Sequence, residues 1–358
     1  MNLDGVRLLE LIALARGRSA TDLHVGAGDA PSLRVHGQIV PLDVPPLADV
    51  ALEAFLERMA PAAAKGRWAA GEAADFAQRS GDWAPYRLHA YRSMGRIRLA
   101  FRFHEEHLPE LEALALPPIV ATFAARRSGL VLFTGPTGSG KTTALAALID
   151  RINRAAERMI VTVEDPVEYV HRPVRSAIAH CEIGVDVPSY AAAIHGFMRA
   201  DPDVMLVGEM RDRSTIEAVL SAAETGHLVF STLHTIDAAQ TVDRIIDAVG
   251  SEAQHQVRTQ LAATLLAVVS LRLIPLHDGT GCVAATEILI GTDAVRAMIR
   301  DGKTHQLRNA MITGRNAGMR TLETSLSDLV VRRSISLDRA RSFANRPADV
   351  RAIEAVAS

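Results

Sequence analysis

The chain has 358 residues, of which 48% are hydrophobic and 22% charged, and its formal net charge is −2. This length suits two domains with buried cores, and the composition excludes a disordered chain. The near-neutral charge does not favour nucleic acid as a partner, so none is expected. Two cysteines, Cys181 and Cys282, exclude a disulfide framework and a four-cysteine zinc site, so zinc is not expected either.

The first hundred residues predict a small α+β domain. The opening segment MNLDGVRLLELIALARGRSATDL carries acidic residues, which argues against a signal peptide and favours an amphipathic helix. The face of this helix would carry Leu8, Leu9, Ile12 and Ala13. PSLRVHGQIVPL alternates like two strands around a turn at Gly37, and a helix through Val50–Met59 follows. YRLHAYRSMGRIRLAFRF predicts a second hairpin that turns at Met94–Gly95.

We therefore expect a first domain over residues 1–104 and a linker over 105–118, which is polar and then marked by prolines. A second domain is expected over residues 119–358. Within it, the apolar run LAATLLAVVSL is too short to span a bilayer and is flanked by Arg258 and Arg272. These features predict a soluble, cytoplasmic protein.

The second domain alternates apolar strands with helices. GLVLFT, MIVTVE, VMLVGE and LVFSTL are typical of strands that are buried on both faces of a parallel sheet. The helix after the first strand would bury Leu145, Leu148, Ile149 and Ile152. A capping box of Ser214 and Glu217 predicts the start of a later helix. The pattern indicates a RecA-like parallel α/β domain, with a helical tail beyond VAATEIL.

GPTGSGKT satisfies the spacing of a phosphate-binding loop between a strand and a helix. Its glycines let backbone N–H groups close around phosphate oxygens at a helix N-terminus. Lys141 would reach the β- and γ-phosphates, and Thr142 would hold Mg²⁺. The expected ligands are ATP and Mg²⁺. The predicted contact residues are Gly135, Pro136, Thr137, Gly138, Ser139, Gly140, Lys141 and Thr142.

Acidic residues follow two further strands. Glu209, in DVMLVGEM, lies at a strand end where a hydrolase needs a carboxylate to activate water, so it is the candidate catalytic base. Glu164, Asp165 and Glu168 follow another strand, at the edge where ligands bind in this architecture. These three carboxylates could serve metal or water, or they could belong to a turn that Asp165 and Pro166 open.

Two histidines, His227 and His234, stand at the two ends of one predicted buried strand in ETGHLVFSTLH. One of them could sense the γ-phosphate while the other faces a neighbouring molecule. The pattern by itself leaves both roles open.

These motifs occur in the order and spacing of the secretion-type ATPases, which drive type II secretion and type IV pili. The chain resembles the pilus retraction branch of that superfamily, the PilT family, over nearly its whole length. The resemblance implies a PAS-like N-terminal domain and a homohexameric ring whose ATP hydrolysis is coupled to domain rotation. It also implies a location at the pilus base, peripheral to the inner membrane, where the ring would turn an inner-membrane platform protein.

The resemblance further implies residue roles. Glu164 and Asp165 would form the Asp box and Glu209 the Walker B carboxylate, while His227 and His234 would form the His box. Arg87 in YRLHAYR and Arg102 in LAFRFH match the pair that the family sends to a bound nucleotide. Their guanidinium groups would neutralise charge on the transferred phosphoryl group.

AVRAMIRDGK resembles the AIRNLIREGK signature of the retraction branch. The segment predicts an amphipathic helix with Val295, Met298 and Ile299 on the core side and Arg296 on the solvent side. The resemblance implies that this helix serves retraction rather than hydrolysis. Assembly and type II secretion ATPases generally carry a four-cysteine zinc insert and a long N-terminal extension, and the expected lack of both here favours retraction.

Three positions depart from the family pattern. Cys181 and His195 stand where arginine is usual, and neither replaces a planar bidentate donor. Ser231 stands where glycine is common. A weakly hydrolysing accessory PilT paralogue is therefore an alternative, beside an assembly or type II secretion ATPase and, more distantly, a DNA helicase.

Overall fold

The computed structural model describes residues 3–18, 20–35, 38–78, 86–103, 108–277 and 281–351. The chain divides into two compact units. The first comprises Met1–His107 with Pro166–Tyr169, and the second comprises Leu108–Asp165 with Val170–Ser358. Each unit contains its own sheet and its own hydrophobic core.

The first unit is built around a six-stranded sheet with the order β3-β2-β1-β6-β5-β4, in which all neighbours pair antiparallel. Its elements are α1 (Leu3–Gly17), β1 (Asp22–Gly26), β2 (Ser32–Val35), β3 (Gln38–Pro41), α2 (Asp49–Met59), α3 (Ala62–Ala69), β4 (Ala74–Gln78), β5 (Tyr86–Ser93) and β6 (Arg96–Phe103). The turn predicted at Gly37 lies outside the described residues. The turn at Met94–Gly95 has φ values of +52° and +75°, which match a two-residue hairpin turn.

The core of the first unit lies on one face of this sheet. Leu23 and Val25 on β1 alternate with Asp22 and His24, so the opposite face of the sheet is polar. Helices α1 and α2 pack on the apolar face. The predicted face of α1 is partly wrong. Ala13 is exposed, and the buried residues are Leu8, Leu11, Ile12 and Ala15.

The second unit contains a seven-stranded sheet with the order β13-β12-β7-β11-β10-β8-β9. Its strands are β7 (Gly129–Thr134), β8 (Met159–Glu164), β9 (Ala177–Glu182), β10 (Val204–Val207), β11 (Leu228–Leu233), β12 (Leu265–Pro275) and β13 (Cys282–Ile290). Neighbouring strands from β12 to β9 run parallel, and β13 runs antiparallel to β12. The sheet confirms the predicted RecA-like parallel core.

Helices cover both faces of this sheet. They are α4 (Pro118–Thr122), α5 (Lys141–Ala155), α6 (Tyr190–Phe197), α7 (Arg213–Glu224), α8 (Ala238–Asp247), α9 (Gln254–Thr264), α10 (Asp293–Arg300), α11 (Leu307–Thr313), α12 (Leu322–Val331) and α13 (Leu337–Phe343). Helix α5 packs on one face and α7, α8 and α9 pack on the other. The last four confirm the predicted helical tail. The buried face predicted for α5 is confirmed at Leu145, Leu148, Ile149 and Ile152.

The apolar run LAATLLAVVSL divides between the end of α9 and the start of β12. Among the residues described, no helix combines the length and apolar character needed to cross a bilayer. The 3₁₀ turn Leu111–Leu114 precedes α4 and contributes Leu111 to the core of the second unit.

Helix α7 begins differently from the prediction. Its N-cap is Asp212, whose Oδ1 accepts a hydrogen bond from the backbone N–H of Thr215 at 2.9 Å. Ser214 donates its hydroxyl to Asp212, and Glu217 pairs with Arg213 at 2.7 Å. The predicted Ser214–Glu217 capping box is therefore wrong, because the aspartate upstream supplies both the cap and a negative charge at the helix N-terminus.

Candidate active site

The loop Gly135–Thr142 connects the carboxyl end of β7 to the N-terminus of α5. Gly135 has a φ of +137°, and a Cβ there would lie 2.3 Å from the carbonyl oxygen of Leu271. Gly140, with a φ of +89°, is the N-cap of α5. Both positions need glycine because a side chain would clash or strain the backbone. The loop therefore places backbone N–H groups and the positive end of α5 around one concave space.

Lys141 is the first residue of α5 and only 8% exposed. Its Nζ donates to the carbonyl oxygens of Gly135 at 2.7 Å and Pro136 at 3.0 Å, so the ammonium group lies within the loop. The hydroxyl of Ser139 is buried without a hydrogen-bond partner among the described residues. A buried cation, an orphaned hydroxyl and a helix N-terminus are the groups that a polyphosphate satisfies. The loop therefore fits ATP, and Thr142, next along α5, offers the hydroxyl oxygen that Mg²⁺ takes in such loops.

Glu209 follows β10, and His234 follows the neighbouring parallel strand β11. The Oε1 atom of Glu209 lies 3.2 Å from Nε2 of His234 and 2.6 Å from Nε of Arg211. The hydrogen bond and the charge of Glu209 raise the pKa of Arg211. Thr232 holds the strands together here by donating its hydroxyl to the carbonyl oxygen of Gly208 at 2.5 Å. Both contacts use Oε1, so Oε2 is the carboxylate oxygen that can accept a proton from water.

Tyr190 connects this carboxylate to the other acidic residues. Burial raises the pKa of its phenol, and the negative charges of Asp165, Glu209 and Glu164 raise it further. A Cβ on Gly208 would lie 3.1 Å from the phenol oxygen, so the ring reaches the end of β10. The structure thus brings Glu164, Asp165 and Glu209 to the carboxyl edge of β8 and β10. Strand β11 separates β10 from β7, the strand that leads into the phosphate-binding loop.

His227 does not join this group. It precedes β11, whereas His234 follows it, so the two histidines lie at opposite edges of the sheet, about 20 Å apart at 3.3 Å per residue. The Nδ1 atom of His227 lies 2.9 Å from the carbonyl oxygen of Ala222 and 3.1 Å from the hydroxyl of Thr225. These contacts belong to the turn between α7 and β11.

Arg87 and Arg102 are cross-strand partners on β5 and β6 of the first unit. Nε of Arg102 lies 2.9 Å from Oδ1 of Asp22, and Arg87 lies 3.8 Å from Asp75. Both arginines line a cavity of about 250 Å³ on the polar face of the sheet, together with His89. The first unit therefore presents two guanidinium groups side by side, each already next to a carboxylate.

The three departures from the family pattern lie in the second unit. Cys181 is buried on β9 against Val161 and Val163, and burial raises the pKa of its thiol. His195 is exposed on α6. Ser231 is buried on β11, where its hydroxyl donates to the carbonyl oxygen of Val207 at 2.7 Å. The serine is thus accommodated by a cross-strand hydrogen bond.

Helix α10 has the predicted core side, with Val295 and Ile299 fully buried. The prediction that Arg296 lies on the solvent side is wrong. Its guanidinium donates to the carbonyl oxygens of Gly291 at 2.8 Å, Leu265 at 3.2 Å and Ala263. The side chain folds back along the start of α10 and satisfies carbonyl groups near the ends of α9 and β13.

The fold, the phosphate-binding loop and the carboxylate–imidazole pair define a RecA-like nucleotide-binding domain preceded by an antiparallel α+β domain. The sequence model of the Type II/IV secretion system protein family matches residues 112–342. The chain is 38% identical to the type IV pilus retractation ATPase PilT of Pseudomonas aeruginosa, over 95% of this chain and 98% of that protein. It is 32% identical to the type IV pilus ATPase PilU of the same organism, over 96% of this chain and 90% of that protein.

The crystal structure of the pilus retraction motor PilT with bound ADP superposes with a TM-score of 0.88 at 36% identity. The superposition covers 95% of this chain and 98% of that chain. The chain therefore belongs to the PilT family of secretion-type ATPases.

Proposed function

We propose that the chain is a P-loop ATPase motor that powers type IV pilus retraction. The observation that carries the proposal is the similarity to PilT along almost the full length of both chains, combined with the Glu209–His234 pair next to a phosphate-binding loop. The working form is a homohexameric ring at the cytoplasmic side of the inner membrane, with the pilus platform protein as its partner. Hydrolysis in the ring drives domain rotation.

ATP binds with its phosphates in the loop Gly135–Thr142. Backbone N–H groups and the N-terminus of α5 hold the phosphate oxygens, and the ammonium group of Lys141 exchanges its loop carbonyls for the β- and γ-phosphates. When bound at Thr142, Mg²⁺ would neutralise charge on the β- and γ-oxygens.

Glu209 accepts the proton of the attacking water through Oε2, while Arg211 and His234 fix Oε1. The imidazole of His234 also lies at the edge of the sheet that carries the phosphate-binding loop, which suits it to sense the γ-phosphate. Glu164 and Asp165 supply further carboxylate oxygens at the same edge for water or metal, and Tyr190 packs among them.

Arg87, Arg102 and His227 have roles other than activating water. Family resemblance assigns Arg87 and Arg102 to the phosphates of a bound nucleotide, where they stabilise the charge that develops during transfer. His227 lies too far from the phosphate-binding loop of its own chain to take part in the reaction there. We therefore assign it to the α7–β11 turn and to the side of the unit that a neighbouring subunit could meet.

A weakly hydrolysing accessory subunit is the second candidate, since PilU is also similar over most of both chains and Cys181 and His195 replace usual arginines. Steady-state ATP hydrolysis by the purified chain separates the two. The motor is expected to turn over ATP and to lose both binding and turnover in Lys141→Ala. Turnover near background, with ATP still bound, would identify the accessory subunit.

A further inference from the structure

Glu287 is a buried carboxylate on β13, with an exposed fraction of 3%. Its Oε1 accepts a hydrogen bond at 2.9 Å from the backbone N–H of Ala238, the first residue of α8. The same carboxylate accepts from the backbone N–H of Leu322, the first residue of α12. One side chain therefore binds the N-termini of two helices, where a negative charge is favourable.

A row of polar residues runs across the sheet from Glu287 to the start of the phosphate-binding loop. Glu287 lies directly opposite Ser270 on β12, and Ser270 lies directly opposite Thr134 on β7. The hydroxyl oxygens of Ser270 and Thr134 are 2.8 Å apart. Thr134 immediately precedes Gly135, so the row crosses three neighbouring strands and ends where the loop begins.

The segment between β11 and α8 is held at both ends. At its start, His234 contacts Glu209 at 3.2 Å. At its end, the backbone N–H of Ala238 donates to Glu287. The hydroxyl of Thr235, within the segment, lies 2.7 Å from that of Thr241 in α8. The position of the imidazole relative to Glu209 therefore depends on where the N-terminus of α8 is fixed.

We propose that Glu287 is a positioning residue for ATP hydrolysis, because it anchors α8 and α12 to β13 and so holds His234 against Glu209. The inference rests on the proposed ATPase function. Glu287 acts through His234 and does not contact the reacting atoms. It also ties the segment that carries His234 to α12 in the C-terminal helices, so motion of those helices would reach the active site through it.

The electrostatics of Glu287 supply a readout. Burial raises its pKa to about 7, the backbone N–H of Ala238 opposes this shift, and the charges of Asp237 and Glu323 add to it. Asp237 faces it from the start of α8 and Glu323 from α12, while Ser270 on β12 is uncharged. The ionised carboxylate accepts hydrogen bonds through both oxygens, whereas protonation turns one oxygen into a donor. The anchoring therefore strengthens as the pH rises through about 7.

Folding stability has the opposite trend. Because the folded-state pKa lies above the ordinary value of 4.5, the folded chain binds more protons than the unfolded chain between pH 4.5 and about 7. The contribution of Glu287 to the free energy of unfolding therefore falls as the pH rises through that window. Glu287→Gln keeps the shape, removes the charge and retains a single acceptor oxygen. It should lower activity without lowering stability at pH 8.

The test measures the full-length chain and Glu287→Gln between pH 6 and 8. We expect kcat of the variant to fall about ten- to hundredfold at pH 8, as for a misplaced catalytic group, with ADP affinity within about twofold. The wild-type to variant ratio of kcat should shrink towards pH 6, and the melting temperature at pH 8 should stay equal or rise. A ratio that is constant with pH, or a kcat loss that only follows a lower melting temperature, would overturn the proposal.

Glu323→Gln is the matched control. Glu323 is equally buried on α12, but it pairs with Arg308 at 2.9 Å and does not bind α8. This variant should lose thermal stability, because the half-buried guanidinium of Arg308 keeps only its pair with Asp349. Its kcat should still change with pH, with a midpoint at lower pH, because the charge of Glu323 no longer raises the pKa of Glu287. If Glu323→Gln abolished that pH dependence as Glu287→Gln does, general loosening of the tail would explain both and the positioning role would be rejected.

Amide hydrogen exchange separates this inference from the proposed function, because it needs no nucleotide. At pH 8, residues 234–241 should exchange faster in Glu287→Gln than in the wild type, and unchanged exchange would contradict the anchoring. A wild-type chain without ATP turnover would overturn the proposed function, and the exchange rates would still decide whether Glu287 holds this segment.

Discussion

The imidazole Nε2 of His234 lies 3.2 Å from Oε1 of Glu209, although the two residues follow different strands. The contact arises because β10 and β11 are parallel neighbours, so their carboxyl ends meet at one edge of the sheet. It joins the candidate base to an imidazole on the strand next to the one that leads into the phosphate-binding loop. The following expectations depend on this arrangement.

Glu209→Gln should retain ATP binding and lose about 10²- to 10⁴-fold in kcat, because glutamine cannot accept the proton of water. Steady-state hydrolysis and equilibrium binding of ATP measure the two quantities. Arg211→Gln serves as the control, since it removes the guanidinium that contacts Oε1 and leaves the carboxylate. Turnover of Glu209→Gln within a few-fold of wild type would show that another group is the base.

The two histidines should differ in effect. His234→Ala removes the contact with Glu209 and should lower kcat about tenfold or more, as expected for a group that orients a base. His227→Ala removes only contacts of the α7–β11 turn. A monomeric or dilute preparation of this variant should therefore keep the residual turnover of the wild type under the same conditions. Equal losses in both variants under these conditions would reject the separate roles.

Much of this site could be predicted from the sequence because its parts are local. The phosphate-binding loop is one continuous segment, and the two-residue turn at Met94–Gly95 sets the register that pairs Arg87 with Arg102. The sequence does not predict strand β9, because its residues are mostly half-buried and lack a clear apolar pattern. The sequence predicts a capping box at Ser214 and Glu217, and the cap is Asp212, because two candidate caps stand close together in the sequence.

The remaining parts depend on contacts between distant segments. Tyr190 reaches the acidic residues from α6, and nothing in its local sequence indicates that proximity. Helical periodicity predicts Arg296 on the solvent side, but its long side chain returns to the backbone of other elements. Periodicity specifies which side of a helix a residue occupies and does not specify where a flexible side chain ends.

Arg102→Ala should depress kcat more than ATP affinity, because a cation that stabilises the transferred phosphoryl group acts mainly on the transition state. We expect a loss of about tenfold or more in kcat, measured by steady-state hydrolysis. Arg98→Ala is the matched control, since Arg98 lies on the same strand and pairs with Asp29. Equal turnover of wild type and Arg102→Ala would show that Arg102 serves only in a structural ion pair with Asp22.

Helix α10 offers a pair of variants that separates hydrolysis from retraction. Arg300 is exposed at its end, so Arg300→Glu should leave ATP turnover within about twofold and impair twitching. Arg296→Glu should lower thermal stability, since it removes donors from three backbone carbonyls and places a carboxylate beside them. Loss of turnover in Arg300→Glu would show that α10 serves the nucleotide domain itself.

The most direct test of the retraction motor is piliation and twitching in a cell from which this chain has been deleted. Assembly and retraction motors share the chemistry of ATP hydrolysis, so active-site variants cannot separate them. We expect the deletion strain to keep its surface pili, in normal or greater number, and to lose twitching, with both restored by the wild-type chain but not by Glu209→Gln. A strain without surface pili would contradict the retraction motor and identify an assembly motor.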